Sequence, residues 1–356
     1  MPDQPSDRPL RVAVIGYGLA GAAFHAPIIA TTDGVALAAI VTANPERAAA
    51  ARDRYPGVEV VADTDAVWRT PGEFDLVVIA SPNRTHVPLA LSAISAGLPV
   101  VVDKPVAASV TDARRLRDAA AHAGVLVSVF QNRRWDSSHR TLQRLLADDA
   151  LGTVHRFEAH FERWRPEVNR SAWREGDDPA DAGGLLFDLG SHLVDQAIAL
   201  FGPVALVYAE VRRLRPGALV DDDVFVALTH RSGTVSHLWA SSTASDLGPW
   251  VRVLGSKASY VKVAGDNQEA SLRAGLTPKD PEYGHEPESA WGVLGVPGDK
   301  RPYPSLPGAY QEYYAGIARA LRSGTPPPVT IDEAIATLSV IEAAQRSARD
   351  GVTVGL

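Results

Sequence analysis

Three glycines, a lysine and a helical row of acid and histidine side chains are the residues of this chain best suited to chemistry. Gly16, Gly18 and Gly21 stand in the spacing G-x-G-x-x-G immediately after the apolar run Arg11–Ile15. The first glycine of such a set permits a tight turn, and the second lets the backbone approach a pyrophosphate. The third allows close packing of helix on strand, and the helix N-terminus then faces the negative charge. Glycines at this spacing also mark ordinary turns. Here a strand-like run precedes them, a helix-forming stretch follows, and a second strand ends about 20 residues further on, which is the context a dinucleotide site requires.

The end of that second run separates the two nicotinamide cofactors. NAD sites usually place an acidic residue there to bind the ribose 2′-hydroxyl. This chain has Val41-Thr42-Ala43-Asn44, with no carboxylate before Glu46. The small Thr42 hydroxyl leaves room for a 2′-phosphate, and Arg47 or Arg52 can supply its countercharge unless both are merely solvated on a helix. NADP is the expected cofactor, with NAD possible.

The segment 185–201, LLFDLGSHLVDQAIALF, carries the second set of reactive groups. At about 100° per residue, Leu186, Leu189, Leu193, Ala197 and Leu200 share one helical face. Phe187, Val194, Ile198 and Phe201 occupy another. Asp188, His192 and Asp195, at i, i+4 and i+7, form a narrow stripe between them. A solvated face would be broad and rich in Lys, Arg or Glu. This one has none, so the stripe reads as a cleft wall. In the loop before it crowd Arg163, Arg165, Arg170, Trp173 and Arg174, placed to meet phosphates and a polyhydroxylated substrate.

These groups need a scaffold, and the chain supplies two textures. Arg11–Ile15, Val35–Val41, Phe74–Ala80, Pro99–Val102 and Val125–Phe130 are apolar runs without polar alternation, as in strands covered on both faces. Helical stretches lie between them, near 20–30, 45–54, 84–96 and 110–123. The alternation predicts an α/β Rossmann domain with a doubly wound parallel sheet over residues 1–130. From 131 to 356 the pattern predicts an α+β domain with a large, mostly antiparallel, open-faced sheet. Alternating runs appear at 153–164, 204–213, 223–230, 233–242 and 250–263. The helix 185–201 interrupts them, and helices near 309–322 and 331–348 close the chain. Thr330 and Glu333 form a capping box for the last, and 264–308 reads as a long excursion from the sheet.

At 356 residues and roughly 150 per domain, two domains are also what the length suggests. The 42 acidic and 35 basic side chains leave a formal charge of -7, which offers no basic field for nucleic acid or anionic lipid. Cysteine is absent, so disulfide, zinc–thiolate and thiol-nucleophile chemistry are excluded. No acidic cluster suggests a metal. With no apolar run of about 18 residues and no signal-like start, the chain reads as cytoplasmic. His155, His160, His230 and His237 fall on strand-like runs without ligand partners and read as structural.

Taken together, VAVIGYGLAG at 12–21, SPNRTH at 81–86, AGLPVVVDKP at 96–105 and AGGLLFDLGSHLVDQ at 182–196 resemble the glucose–fructose oxidoreductase/inositol dehydrogenase/MocA (Gfo/Idh/MocA) family. The likeness covers nearly the whole length. GYGLAGAAFH at 16–25, QNRRWD at 131–136 and RWRPEV at 163–168 look most like its NADP-dependent scyllo-inositol dehydrogenase branch. The resemblance implies NAD(P)-linked oxidation or reduction of a cyclitol or sugar, and a homodimer or homotetramer joined through the C-terminal sheet.

Residue by residue, the resemblance implies that Gly16, Tyr17, Gly18, Leu19, Ala20 and Gly21 meet the cofactor. With them come Thr42, Asn44, Arg47, Ser81, Pro82, Asn83, His86, Asp103, Lys104, Trp173 and Arg174. Asn132, Arg133, Arg163, Arg165, Asp188 and His192 are implied around the substrate. Lys104 matches the lysine of the family's E-K-P motif, with Asp103 in place of Glu; Asn44 stands where some NADP-dependent relatives carry Arg. Some relatives hydrolyse glycosides by transient oxidation and others only regulate, so those remain alternatives.

The chemistry implied is hydride transfer at a secondary alcohol carbon. His192, with an ordinary pKa near 6.5, would serve as base in one direction and acid in the other. Lys104 would stabilise charge on the reacting oxygen. Asp188 would hold a neighbouring hydroxyl or orient the imidazole, and Asp195 would support.

Overall fold

A computed structural model describes residues 8–169 and 173–356. Six strands form the first sheet: β1 (Leu10–Ile15), β2 (Val35–Val41), β3 (Glu59–Val61), β4 (Leu76–Ile79), β5 (Val100–Asp103) and β6 (Val127–Phe130). All five pairings are parallel, in the order β3-β2-β1-β4-β5-β6. The runs Leu-Val-Val-Ile of β4 and Val-Ser-Val-Phe of β6 are buried throughout, because crossover helices cover both faces. Strand order reverses between β1 and β4. A crevice opens there at the carboxyl ends of the strands, where such sheets bind ligands.

Nine strands form the second sheet: β7 (Val154–Glu162), β8 (Val204–Arg212), β9 (Asp223–His230), β10 (Val235–Ser241), β11 (Val251–Gly255), β12 (Ser259–Lys262), β13 (Gly292–Val296), β14 (Asp299–Tyr303) and β15 (Val354–Gly355). Their order is β14-β13-β12-β11-β7-β10-β9-β8-β15, antiparallel except where β7 lies parallel to β10. Burial alternates along β9 and β10, as it must when one face is packed and the other is open. The packed face presents Val207, Val226, Leu228 and Leu238 to the helices Ser191–Phe201 and Ile331–Asp350. The open face carries Leu206, Tyr208, Phe225, His237, Trp239 and His160. Of these, His160 and Trp239 stack with ring centroids 4.2 Å apart.

The helix Ile331–Asp350 starts at the expected capping box of Thr330 and Glu333. It packs on β8, on Ser191–Phe201 and on the first-domain helix Val110–Ala123, and Glu342 accepts the Val110 N–H at 2.8 Å. This helix fastens the two sheets to each other.

Part of the expected 264–308 excursion is sheet after all. β13 and β14 form a hairpin at its edge, and the charged Asp299-Lys-Arg-Pro-Tyr strand suits an edge because it resists further pairing. An 18-residue window within Pro179–Phe201 reaches a mean hydropathy of 1.2, enough by length and composition to cross a bilayer, although Asp188 and Asp195 interrupt the segment. It is 72% buried inside the protein, as a core helix is.

Candidate active site

The glycine turn after β1 is built by steric necessity. Gly16 has φ of +101°, and a Cβ there would lie 2.7 Å from the Ala80 carbonyl. A Cβ on Gly21 would lie 2.0 Å from the Gly16 carbonyl oxygen. Neither position admits a side chain. Gly18 is different, because the nearest atom its Cβ would meet is Arg47 Nη1 at 3.6 Å. Open space bounded by a guanidinium is what an approaching pyrophosphate needs. Leu19 and Ala20 continue into the cleft.

The neighbouring expected cofactor residues are divided. Thr42 is half-buried just after β2, with its N–H bonded to the Val61 carbonyl. Arg47 overhangs the turn and has no carboxylate within ion-pair distance among the described residues, whereas Arg52 reaches the Val60 carbonyl at 3.2 Å. Asn44 caps the helix Pro45–Arg54, its Oδ1 accepting the Arg47 N–H at 2.9 Å. The Tyr17 ring packs behind the turn against Ala26, Ile40 and Ala51.

Across the crevice, Ser81, Pro82, Asn83 and His86 follow β4. The Ser81 and Thr85 hydroxyls are 2.6 Å apart, and Thr85 Oγ1 donates to the Pro82 carbonyl. Asn83 Nδ2 donates to the Asp181 carbonyl at 2.8 Å, while Arg84 pairs with the Asp181 carboxylate. The loop is thereby latched to the second domain. His86 is clamped between the carbonyls of Pro105 at 2.8 Å and Ser81 at 2.9 Å. Its place is behind Lys104, fixing the loop that carries it, and it does not line the cleft.

A cleft of about 350 Å³ lies between the strand ends and the second domain. At its centre Lys104 Nζ donates to Asp188 Oδ1 at 2.8 Å and to the Asp188 carbonyl at 2.7 Å. Asp103, half-buried beside it, accepts the Lys104 N–H at 2.8 Å. Asp188 sits in a widened π-turn, Leu186–Gly190, that leads into the helix Ser191–Phe201. Such turns recur at functional sites because they redirect a side chain or carbonyl. Asp221 anchors this one, its Oδ2 accepting the Leu186 N–H at 2.7 Å. Burial pushes the Asp188 carboxyl up, but the charges of Lys104, Arg174 and Arg163 outweigh it and hold it well below the usual carboxylate range.

His192 lines the same cleft and is 5% exposed. Its Nδ1 is buried without a hydrogen-bond partner. Burial, with the charges of Lys104, Arg133 and Arg174, pushes its pKa well below 6.5. The imidazole is neutral at rest, not poised between two forms as an unperturbed value would have it. Asp195 turns away from the cleft. Both its oxygens accept from Arg134 at 2.8 Å, and Arg134 also reaches Glu333 at 2.7 Å.

The remaining expected substrate residues, Asn132, Arg133, Arg163 and Arg165, all line the cleft, and Arg174 Nε lies 3.6 Å from Asp188 Oδ1. Arg170 and the Trp173 side chain lie outside the described residues. The sequence reading missed Arg215, Asp221, Glu269 and Arg273, which also line it. The Asp-Asp-Asp run at 221–223 was a legible signal, since three adjacent carboxylates before a strand need partners: Asp222 holds Arg215 at 2.9 Å. Glu269 and Arg273 come from the stretch expected to wander from the sheet.

Comparison with known proteins agrees with this fold. Residues 10–131 match the model of the oxidoreductase family's NAD-binding Rossmann fold, and residues 143–356 match that of its C-terminal alpha/beta domain. The oxidoreductase YdgJ of Escherichia coli is 40% identical over 98% of this chain and 99% of its own. The scyllo-inositol 2-dehydrogenase (NADP(+)) IolW of Bacillus subtilis is 34% identical over 98% and 96%. The structure of the putative oxidoreductase yvaA from Bacillus subtilis superposes with a TM-score of 0.92 at 33% identity, covering 99% of both chains. Both halves of the chain, its fold and its full-length relatives thus coincide, and the protein belongs to the Gfo/Idh/MocA oxidoreductase family.

Proposed function

We propose that this protein is an NAD(P)-dependent dehydrogenase that moves hydride between nicotinamide and a secondary alcohol or ketone carbon of a cyclitol or sugar. We further propose that it prefers NADP and works as a cytoplasmic homo-oligomer. The observation that carries the reading is the Lys104 ammonium. Two of its donors are held by Asp188, so one of the three remains for a reacting oxygen, beside a neutral imidazole.

The glycine turn fits the cofactor: Gly16 and Gly21 allow it to form, Gly18 leaves space, and Arg47 supplies positive charge. A bound nicotinamide would supply the hydride exchange with the carbinol carbon. The protein's part is proton and charge handling. His192 removes the hydroxyl proton, as a neutral, buried base can do without first losing a proton of its own. As charge grows on the oxygen, Lys104 donates its free N–H to it. Asp188, held ionised, keeps that ammonium aimed. The NADP-linked relative supports the cofactor preference, as does the missing carboxylate after β2.

A spectrophotometric screen of inositols, inososes and aldoses with NADP and NAD tests this. We expect turnover of at least one ring polyol, faster with NADP. Product formation without any added cofactor would favour transient-oxidation hydrolysis instead, and absence of turnover with cofactor bound would overturn the reading.

A further inference from the structure

Most cations of the cleft are already matched. Lys104 and Arg174 share Asp188. Arg215 is held by Glu175 and Asp222. Arg133 lies 3.3 Å from Asp136, and Arg273 lies 2.8 Å from Glu269. Arg163 and Arg165 are not matched. Among the described residues, neither guanidinium is hydrogen-bonded or within ion-pair distance of a carboxylate, and Arg163 Nε is buried with no partner at all.

Their backbone is nevertheless fixed. The segment continues β7 in extended form, with the Arg163 N–H donating to the Ser241 carbonyl at 2.9 Å and the Arg165 N–H to the Ser242 carbonyl at 2.8 Å. Residues two apart on an extended chain point to one side, and both arginines line the cleft. Burial, and the like charge of Arg165 close by, hold the Arg163 guanidinium below its ordinary pKa. Two cations are thus held side by side, one partly desolvated, and the carboxylates whose charge reaches Arg163, Asp188 and Glu175, are already engaged by Lys104 and Arg174 and by Arg215.

Hydroxyls of a neutral ring could accept these donors but would leave the half-buried Arg163 without an anion of its own, which is costly away from water. An oxyanion accepts from two guanidinium forks at once and neutralises them. The cofactor's phosphates belong at the glycine turn, on the other domain. We infer that the substrate of this enzyme carries an anionic oxygen group, a carboxylate or a phosphate, seated between Arg163 and Arg165. This rests on the dehydrogenase reading above and narrows its substrate to an acidic or phosphorylated ring polyol.

The test is kcat/KM with NADP for matched pairs: a hexuronate against its parent aldose, a hexose phosphate against the same aldose, and an inositol monophosphate against the inositol. Wild type, Arg163→Gln and Arg165→Gln are compared at low and high salt. Wild type should prefer the charged member of one pair by roughly tenfold or more, the value of a charge-assisted hydrogen bond. Which pair shows it separates carboxylate from phosphate. Each substitution should collapse that ratio towards one, and added salt should reduce it through the exposed Arg165. Because Arg165 is at the surface, its variant keeps the test open if Arg163→Gln does not fold.

Equal or better turnover of the neutral members would overturn this inference and leave the dehydrogenase reading standing. No turnover of any member, with NADP still binding, would overturn both. Loss of NADP affinity in the arginine variants, matching an equal loss for charged and neutral substrates, would assign these residues to the cofactor and also overturn it.

Discussion

At the scale of single residues, the environment of His192 does more than its type. Histidine was legible in the sequence as an acid–base group, but its protonation state was not, because the cations that suppress it arrive from distant parts of the chain. With its pKa pushed well below 6.5 by burial and by Lys104, Arg133 and Arg174, the base form persists as pH falls. Alcohol oxidation should therefore hold its kcat/KM through pH 6.5 and decline only at lower pH, whereas ketone reduction, which needs the imidazolium, should rise as pH falls. An oxidation profile breaking at or above 6.5 would contradict this assignment. Arg47 gives a second residue-scale prediction. Arg47→Gln should weaken NADP binding by about tenfold, the value of one lost charge-assisted contact, and change NAD binding much less; equal effects in calorimetry would remove Arg47 from the 2′-phosphate. Two of the expected cofactor residues have structural partners within the protein. Asn44 caps a helix and Tyr17 fills a small core, uses that the same residue types serve throughout proteins and that spacing cannot separate from ligand binding.

At the scale of elements, periodicity located the helix 185–201 but not its internal geometry. An ideal 100° step puts Asp188, His192 and Asp195 on one stripe. The π-turn Leu186–Gly190 breaks that step, and only Asp188 and His192 reach the cleft. Asp195 is consumed by Arg134, a partner 61 residues away in the chain that no local pattern reveals. Asp195→Ala should cost about 3 kcal/mol of stability, because a buried cation loses its bidentate partner. Turnover by the folded fraction should fall far less than in a His192 variant. Unfolding in urea measures the first, and an unchanged midpoint would refute it. The apolar parallel strands were easy to read because both faces are covered. The short edge strand β3 and the helix Ser137–Ala147 escaped notice; the first has too few buried positions to show a pattern. The β13–β14 hairpin was hidden by the Gly-, Pro- and charge-rich composition that marks loops and edge strands alike.

At the scale of the whole molecule, the division into a parallel and a mostly antiparallel sheet followed from texture alone, while the fastening of the two did not. The last helix returns to the first domain through contacts such as Glu342 with Val110, so an element from the end of the chain fastens the two domains between which the cleft lies. The open face of the second sheet remains unpartnered within one chain. Leu206 and Tyr208 are exposed there beside the Phe225, His237 and Trp239 rings, a contiguous apolar surface of the kind that marks association. Light scattering at micromolar concentration should give a mass of at least two chains, and Trp239→Arg should reduce it to one without unfolding the domain. A wild-type monomer would contradict the proposal.

The proposed chemistry turns on Lys104 and His192 acting on one oxygen. Its most direct test is formation of reduced nicotinamide in a single turnover, for wild type, His192→Ala, Lys104→Ala and the double variant, on whichever substrate wild type uses best. His192→Ala should slow the step by roughly 10²- to 10⁴-fold, the usual contribution of a positioned acid–base group. Lys104→Ala should also slow it severely, and the double variant should be little slower than the worse single one, as expected for groups serving a single proton transfer. Near-normal turnover by folded His192→Ala protein, or losses that simply multiply, would contradict it.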